Sequence, residues 1–416
     1  MAYLRFILGN LRSLSYGFLL SLNSTFGQTA FIAVYGGQIM ALYGLSPGEY
    51  GLLYMAATLT SAALMIQAGK QVDSLPRWLF TSIILCGMAV ACLAMYLQAF
   101  LGSLLFLYLT LLLLRLFGQG LMSHASMTVT ARDFNRNRGK ALSIAGMGHA
   151  PGEAFFPLMA VALMAWVGWR ESWLLYSAVT LFAMLPLFLW LAAKPRVPRK
   201  GAEPAPSEAE QKAAEEGWTR GQVLRDPGFY LLLPALFAAP CLGTGLFFHQ
   251  VPLVEAKGWA LSDFAAGFAT YALSNVVFGL LSGRLIDRFS ARWLFQFMLW
   301  PMAGGFLVIG LAGDPLWVYA LMLLQGATTG MNHTIGTALW AELYGLAHLG
   351  AIRALSAAFM VFSTAIGPPV MGLLLDAGLT MGGVMVLAAA WTGATALWVP
   401  VALRIVQRRR AELDPL

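Results

Sequence analysis

Two charged residues inside long apolar runs are spaced so that they could do chemistry together. Arg115 lies about 14 residues into one run and Glu153 about 14 residues into the next, so that at about 1.5 Å per helical residue both reach a depth of roughly 21 Å. Consecutive helices run antiparallel, so we expect the two side chains to meet. Protonation of Glu153 would then free the Arg115 guanidinium for an anion. A permanent ion pair that joins the two helices is the alternative.

A histidine shares the helix face of Glu153. His149 precedes Glu153 by four residues, and residues four apart lie on one side of a helix. Histidine changes charge near neutral pH, so the pair could take up and pass on a proton. A histidine held by hydrogen bonds between helices is the alternative. The histidines of the chain show no metal-ligand spacing, so we expect neither a metal site nor a cofactor.

Further polar side chains in the apolar runs could bind a small-molecule substrate beside Arg115. Gln28 is the foremost candidate, and Gln119 lies one helical turn after Arg115, on the same face as Ser126. Hydrogen bonding between helices is the alternative for each of them. The predicted substrate-binding residues are Asn23, Gln28, Arg115, Gln119, His249, Asn275 and Asn332, and the predicted proton-coupling residues are Arg115, His149 and Glu153.

The composition indicates which elements position these residues. Hydrophobic residues make up 59% of the 416 positions and charged residues 11%, whereas soluble domains carry roughly 25% charged residues. A helix needs about 20 mostly apolar residues to cross a bilayer. We therefore predict an all-α membrane protein with twelve transmembrane helices. The predicted helices cover residues 13–41, 50–70, 77–98, 101–130, 139–166, 171–193, 228–255, 263–286, 290–312, 315–342, 351–375 and 381–405.

Basic residues set the predicted orientation, because positively charged loops stay in the cytoplasm. If the N-terminus lies in the cytoplasm, all but three of the 26 lysines and arginines fall on the cytoplasmic side of the membrane. The exceptions are Arg115, Arg170 and Lys257. Both termini are therefore predicted to be cytoplasmic, in an inner (plasma) membrane. The net charge of +7 follows from this distribution. The expected partner is thus the lipid bilayer and not nucleic acid, and a monomer is expected.

A repeated pattern divides the chain into two halves. The string GKQVD at residues 69–73 returns as GRLID at residues 283–287, and LSPGEYG at residues 45–51 returns as LSDFAAG at residues 261–267. Parallel repeats of this kind are typical of secondary transporters, in which two bundles rock around one central site. We predict an N-terminal six-helix bundle at residues 1–193, a cytoplasmic linker at residues 194–226 and a C-terminal six-helix bundle at residues 227–416.

The repeated loop resembles a motif of the major facilitator superfamily, Gly-x-x-x-Asp-Arg/Lys-x-Gly-Arg/Lys-Arg/Lys. The second copy, GRLIDRFSAR at residues 283–292, matches it at Gly283, Asp287, Arg288 and Arg292, whereas the first copy has Ser74 at a usually basic position. RLFGQG at residues 115–120 and GWR at residues 168–170 are similar to other signatures of that family. The resemblance implies the major facilitator fold, two pseudo-symmetric six-helix bundles with a cytoplasmic gate. The gate residues that it implies are Asp73, Arg77, Asp287, Arg288 and Arg292.

Two strings, FGQT at residues 26–29 and LRDPGF at residues 224–229, are similar to the monocarboxylate and oxalate:formate porter branch. The aspartate and arginine that animal monocarboxylate porters carry in the eighth helix correspond here to Tyr271 and Asn275. This resemblance implies a secondary active transporter that works by alternating access and moves a small organic anion, such as a monocarboxylate, with protons.

Two alternatives to this prediction stay open. One is proton-driven efflux of drugs or amphiphilic metabolites. The other, of a different class, is a membrane sensor that does not transport. The chain shows no nucleophile, metal or phosphate-cradle pattern, so an enzyme is not expected.

Overall fold

The computed structural model describes residues 2–134, 137–193 and 217–413. Among these residues the structure is helical, and the one β feature is an isolated bridge between Gly217 and Gly345. Ten of the described helices are long and apolar enough to cross a membrane. The chain divides into two compact units, Met1–Glu203 and Pro204–Leu416. Of the predicted linker, residues 194–216 lie outside the described residues.

In the described residues of the N-terminal unit, six long helices follow a short helix, Ala2–Gly9, and all but the first of the six are among the ten that are apolar enough to cross a membrane. The first, α1, runs over residues 11–43 and is interrupted near its middle. The second, α2 (Pro47–Ser74), begins with a capping box, in which Ser46 and Glu49 each accept a hydrogen bond from the other's backbone nitrogen. The remaining helices are α3 (Arg77–Leu101), α4 (Leu104–Asp133), α5 (Arg138–Val167) and α6 (Trp169–Ala192).

The sequence predicted a continuous first helix. Polar residues explain why α1 is interrupted instead. Ser24 donates a hydrogen bond to the Ser21 carbonyl at 2.7 Å, and Asn23 donates one to the Leu19 carbonyl at 2.8 Å. Side chains of this type compete with the backbone for helical carbonyls. The helix changes to a 3-10 turn directly afterwards, over Ser24–Gly27.

The described residues of the C-terminal unit form six further long helices, and all of them but Trp317–Tyr344 are among the ten that are apolar enough to cross a membrane. The seventh helix differs from the prediction. It ends at Phe248, and a separate helix, Gln250–Lys257, follows. The helices are α7 (Pro227–Phe248), α8 (Leu261–Arg288), α9 (Ala291–Leu311), α10 (Trp317–Tyr344), α11 (Leu349–Asp376) and α12 (Met381–Arg408).

Small residues allow the helices of this unit to pack closely. α10 contacts α8 through Gly326 and Gly330, and a Cβ atom added to Gly330 would lie 2.7 Å from the nitrogen of Gly279. Such small-residue contacts are a common means of packing helices in a bilayer, where no hydrophobic effect drives them together. They hold Asn275 of α8 at the same contact, since its backbone nitrogen would lie 3.1 Å from a Cβ atom on Gly326.

Candidate functional site

The break in α1 exposes a backbone carbonyl beside Arg115. After the 3-10 turn, Gln28 is extended, with φ −78° and ψ 149°. The amide of Phe31 therefore donates to the Gln28 carbonyl at 3.2 Å instead of to the carbonyl of Gly27, as a regular α-helix would require. The Gly27 carbonyl instead accepts a hydrogen bond from Nη1 of Arg115 at 3.1 Å. A polar backbone group and a cation thus meet inside the N-terminal unit.

Helix α4 widens into a π-helix over Leu114–Met122, where it meets the break in α1. The two backbones touch, since a Cβ atom added to Gly118 would lie 2.6 Å from Cα of Gly27. This close approach brings the Arg115 guanidinium within reach of the Gly27 carbonyl. π-helical turns are frequent at functional sites, and this one carries the buried arginine.

The Arg115 side chain lies in polar but uncharged surroundings. The residue is 5% exposed. Its Nη1 also lies 3.5 Å from Oγ1 of Thr29, and its guanidinium carbon lies 5.4 Å from the centre of the Tyr54 ring. The Tyr54 hydroxyl is 2.8 Å from the same Thr29 oxygen. The Arg115 Nε atom has no hydrogen-bond partner among the described residues, and none of their carboxylates pairs with the guanidinium.

The expected ion pair between Arg115 and Glu153 is absent from the structure. Both residues are described, and neither takes part in an ion pair. Glu153 is half-buried, and no described residue donates a hydrogen bond to its carboxylate. The two side chains do not meet because the part of α5 that carries Glu153 packs on α1 and α6. Equal depth in the membrane therefore does not bring Glu153 against the part of α4 that carries Arg115.

Helix α5 covers another side of the α1 break. Gly148 and Gly152 provide the room: a Cβ atom added to Gly152 would lie 3.1 Å from Cβ of Thr25. Nδ1 of His149 lies 3.3 Å from the hydroxyl oxygen of Ser24. The Thr25 hydroxyl is buried and has no hydrogen-bond partner in the described part of the chain. The break is therefore lined by an arginine, a histidine and an unsatisfied hydroxyl.

The remaining predicted residues of α1 and α4 differ in their partners. Gln28 and Gln119 are half-buried, and their side-chain amides bond to no described residue. Asn23 is buried and donates to the carbonyl one turn earlier in its own helix. Ser126, on the same face of α4, donates to the Gly17 carbonyl at 2.6 Å, so this residue packs α4 on α1.

The C-terminal unit holds the other three predicted substrate-binding residues. His249 is 2% exposed, and its Nε2 lies 2.8 Å from the carbonyl oxygen of Pro368 on α11. Asn275 on α8 and Asn332 on α10 are half-buried, and their side chains bond to no described residue. His249 thus has a partner in helix packing, whereas the two amides have none among the residues described.

Ion pairs connect the predicted gate residues of the N-terminal unit to the end of α4. Asp73 pairs with Arg132, and Arg77 pairs with Asp133. The side chains of Arg77 and Asp133 are only 16% and 5% exposed, whereas those of Arg132 and Asp73 are 45% and 68% exposed. Arg132 also donates to the Val72 carbonyl at 2.9 Å. These contacts tie the ends of α2, α3 and α4 together.

The C-terminal unit repeats this arrangement in part. Nε of Arg292, at the start of α9, lies 3.2 Å from Oε2 of Glu342, at the end of α10. The same carboxylate accepts a hydrogen bond from the backbone nitrogen of Ala291 at 2.6 Å. Asp287 and Arg288 are exposed and form no ion pair with a described residue. Among the described residues, this copy of the loop therefore has one ion pair where the first copy has two.

Sequence analysis missed the partners of these residues. Asp133 and Glu342 end α4 and α10, which occupy equivalent places in the two repeats. An acidic residue at both places was a readable signal, since each lies where a basic residue of the repeated loop can reach it. Thr29 and Tyr54, beside Arg115, carried no such signal because they lie on different helices.

Comparison with known proteins places these features in a family. The sequence model of the Major Facilitator Superfamily matches residues 17–269 and 245–415. Monocarboxylate transporter 11 of Homo sapiens is 27% identical over 349 residues, which cover 77% of this chain and 69% of that protein. The probable sulfoacetate transporter SauU of Cupriavidus necator is 26% identical over 299 residues, which cover 69% of this chain and 67% of that protein.

Solved structures share the fold. A bacterial homolog of the human lysosomal transporter Spinster, in an inward-facing and unoccupied conformation, has a TM-score of 0.67 at 18% identity and covers 95% of both chains. The nucleoside transporter NupG has a TM-score of 0.70 at 12% identity, covering 94% of this chain and 99% of that chain. These likenesses confirm the fold class that the sequence predicted.

Proposed function

Because the chain belongs to the Major Facilitator Superfamily and is a membrane transporter, not an enzyme, we propose that it carries a small organic anion across the membrane together with protons. The observation that carries this proposal is Arg115, a buried cation without a carboxylate partner among the described residues.

The chemistry of the α1 break favours an anion. A charged side chain in a membrane span is costly, by about 2.5–3.5 kcal/mol at a helix centre on insertion scales, and such residues mark substrate pathways. The guanidinium fork suits a carboxylate or sulfonate, because it can donate two parallel hydrogen bonds. Nε of Arg115 and the Thr25 hydroxyl have no partner among the described residues, and Gln28 follows Thr25 by three residues, at the end of the same break in α1. We infer that these three groups hold the acid group of the substrate.

The names of two relatives agree with this substrate class. One is a monocarboxylate transporter and the other a probable sulfoacetate transporter, and both substrates are organic anions. Since Tyr271 and Asn275 replace the aspartate and arginine expected in the eighth helix, Arg115 is the residue to which we assign the anion in this chain.

Glu153 and His149 are the groups that we assign to the proton. Glu153 has no hydrogen bond or ion pair with a described residue, so its charge state is not fixed by a counter-ion there. His149 lies one helical turn away and reaches Ser24 at the α1 break. A proton on Glu153 can therefore be linked, through α5, to the place where the anion binds.

The ion pairs at the ends of α2–α4 and of α9–α10 supply a gate in this proposal. The basic loops would face the cytoplasm by the positive-inside rule, with Asp73, Arg77 and Arg292 in the pairs already described. Asp287 and Arg288 are exposed and are proposed as gate residues on the family resemblance alone.

The test is uptake by reconstituted proteoliposomes of labelled monocarboxylates and sulfoacetate, with and without an inward proton gradient. We expect Arg115→Gln to lower uptake efficiency roughly tenfold to a hundredfold, as expected for loss of charge-assisted hydrogen bonds. Arg353→Gln removes the same charge from an exposed position on α11 and should have no effect. No uptake of any anion by the unaltered protein would refute the substrate class, and extrusion of an amphiphilic dye would then favour efflux.

Proton coupling has a separate readout. Glu153→Gln should abolish accumulation driven by the proton gradient while exchange of labelled for unlabelled anion across the membrane continues. Glu255→Gln, an exposed acid in the helix Gln250–Lys257, should leave both intact. Gradient-driven accumulation that survives in Glu153→Gln would refute the assignment of the proton to this residue.

A further inference from the structure

A polar pocket of the C-terminal unit lies between the start of α9 and the end of α12. Its volume is about 390 Å³. The side chains that give it its character are Ser290, Arg292, Trp293, Gln296, Arg404 and Gln407.

The walls of this pocket carry unsatisfied positive charge. Arg404 and Gln407 are exposed, and their side chains bond to no described residue. Arg292 uses Nε to pair with Glu342, at 3.2 Å, and its two terminal nitrogens donate to no described residue. No carboxylate is among the wall residues that the structure describes. The pocket is therefore suited to an anion that accepts several hydrogen bonds.

An aromatic ladder runs from the residue that follows α8, past the pocket and onto α9. The ring centres of Phe289 and Trp293 are 4.6 Å apart, and those of Trp293 and Phe297 are 4.9 Å apart. All three residues are exposed, by 48%, 39% and 47% respectively. Exposed tryptophan in a membrane protein favours the level of the lipid headgroups. Trp293, which also lines the pocket, thus indicates the depth at which the pocket opens.

Helix α12 changes character at the same pocket. Leu397, Val401 and Arg404 lie on one face because they are spaced by four and three residues. Leu397 is 65% exposed and Val401 is 43% exposed, and one turn later the face becomes basic at Arg404. Both walls are polar at the pocket and apolar beyond it, toward later residues on α9 and toward earlier residues on α12, which matches an amphiphile.

We propose that this pocket binds the phosphate of an anionic phospholipid, whose acyl chains lie against Phe297 on α9 and against Val401 and Leu397 on α12. Arg404 donates to the phosphate, and Arg292 and Gln407 complete its hydrogen bonds. The uncompensated charge of Arg404 selects an anionic over a zwitterionic headgroup. The apolar walls select a lipid over free phosphate, because free phosphate has no acyl chains to pack against them.

The test is lipid binding to the purified, delipidated protein in detergent, measured by native mass spectrometry. Phosphatidylglycerol and phosphatidylcholine with identical acyl chains are compared. We expect phosphatidylglycerol to bind about tenfold more tightly and Arg404→Gln to remove this preference, since one charge-assisted hydrogen bond corresponds to roughly tenfold in affinity. Arg404→Lys should retain part of the preference. Arg353→Gln removes an equal charge elsewhere in the unit and should retain all of it.

Each result decides the question. Equal binding of the two lipids, or an unchanged preference in Arg404→Gln, would overturn the proposal. Inorganic phosphate alone, at millimolar concentration, should neither bind to the pocket nor displace phosphatidylglycerol. If it does both, the pocket is an anion site and not a lipid site. Arg404 is exposed, so its variants are expected to fold, and an unchanged elution volume confirms this before binding is measured.

Discussion

Replacing Gly27 with alanine should separate the α1 break from helix α4. The added Cβ atom would meet the Gln119 nitrogen and the Leu114 oxygen of α4 first, and it would lie 2.7 Å from Cα of Gly118, which is 0.7 Å short of the 3.4 Å at which ordinary contact begins. All three atoms belong to a backbone, so no flexible side chain can move aside. The two helices must therefore move apart, and the hydrogen bond between Arg115 and the Gly27 carbonyl must lengthen.

The expected cost is that of overpacking, about 1–3 kcal/mol of stability. Gly36→Ala is the matched control, because it makes the same change in the same helix, where the nearest atom, on the Tyr50 ring, would be 3.6 Å away. Alanine is also the better helix former, by about 1 kcal/mol, so the control should be neutral or slightly stabilising. Thermal unfolding of the purified variants in one detergent measures both effects.

Anion binding gives a second readout for Gly27→Ala. If the break positions Arg115, the affinity for the transported anion should fall in this variant and remain unchanged in Gly36→Ala. Equal melting temperatures for the two variants would refute the close contact between α1 and α4. A destabilised Gly27→Ala variant with unchanged affinity would instead show that the contact is structural and does not position the arginine.

Three further substitutions test the repeated loops, each by thermal unfolding. Ser290→Gly should stabilise the protein by about 1 kcal/mol, because Ser290 has φ 139°, a backbone angle that L-residues rarely adopt. Loss of the hydrogen bond that its hydroxyl accepts from the Trp293 amide costs only a few tenths of a kcal/mol. A lower melting temperature would contradict the strain at Ser290. Asp133→Asn should destabilise by about 3 kcal/mol, since it leaves the nearly buried Arg77 without its counter-ion. Asp73→Asn breaks an exposed pair and should cost less than about 1 kcal/mol, so equal losses in the two variants would be evidence against the difference in burial.

The membrane helices could be predicted from the sequence, because the length of an apolar run is a local property. Each of the twelve predicted runs overlaps a helix. The breaks in α1 and after Phe248 were not predicted, although the polar run at residues 23–28 was visible. Whether such a run interrupts a helix depends on which group donates a hydrogen bond to the released carbonyl. For Gly27 this donor is an arginine 88 positions away.

The partners of the candidate site depend on helix packing and were largely beyond sequence reasoning. Arg115 and Glu153 were identified as unusual charges from their depth alone, yet depth does not say which faces meet. Arg115 turns to α1, since Gly27 and Gly118 allow the backbones to touch there. Glycine pairs on separate helices have no linear spacing that would reveal such a contact.

One contact is repeated in the two units although the residues that bridge it are not. In α5, a Cβ atom on Gly148 would lie 3.0 Å from the Leu22 nitrogen of α1, and in α11 a Cβ atom on Gly367 would lie 3.0 Å from the Gly245 nitrogen of α7. The α1–α5 and α7–α11 pairs are thus equally close.

A histidine bridges each of these pairs, but from opposite partners. His149 extends from α5 to Ser24 of α1, whereas His249 extends from the end of α7 to Pro368 of α11. Because the histidines lie on non-equivalent helices, the sequence repeat does not align them. The shared feature is the backbone contact, which leaves no room for a side chain and lets a polar bridge form from either helix. We therefore expect each pair to move as one body during transport, with the changes of shape occurring at other helix contacts.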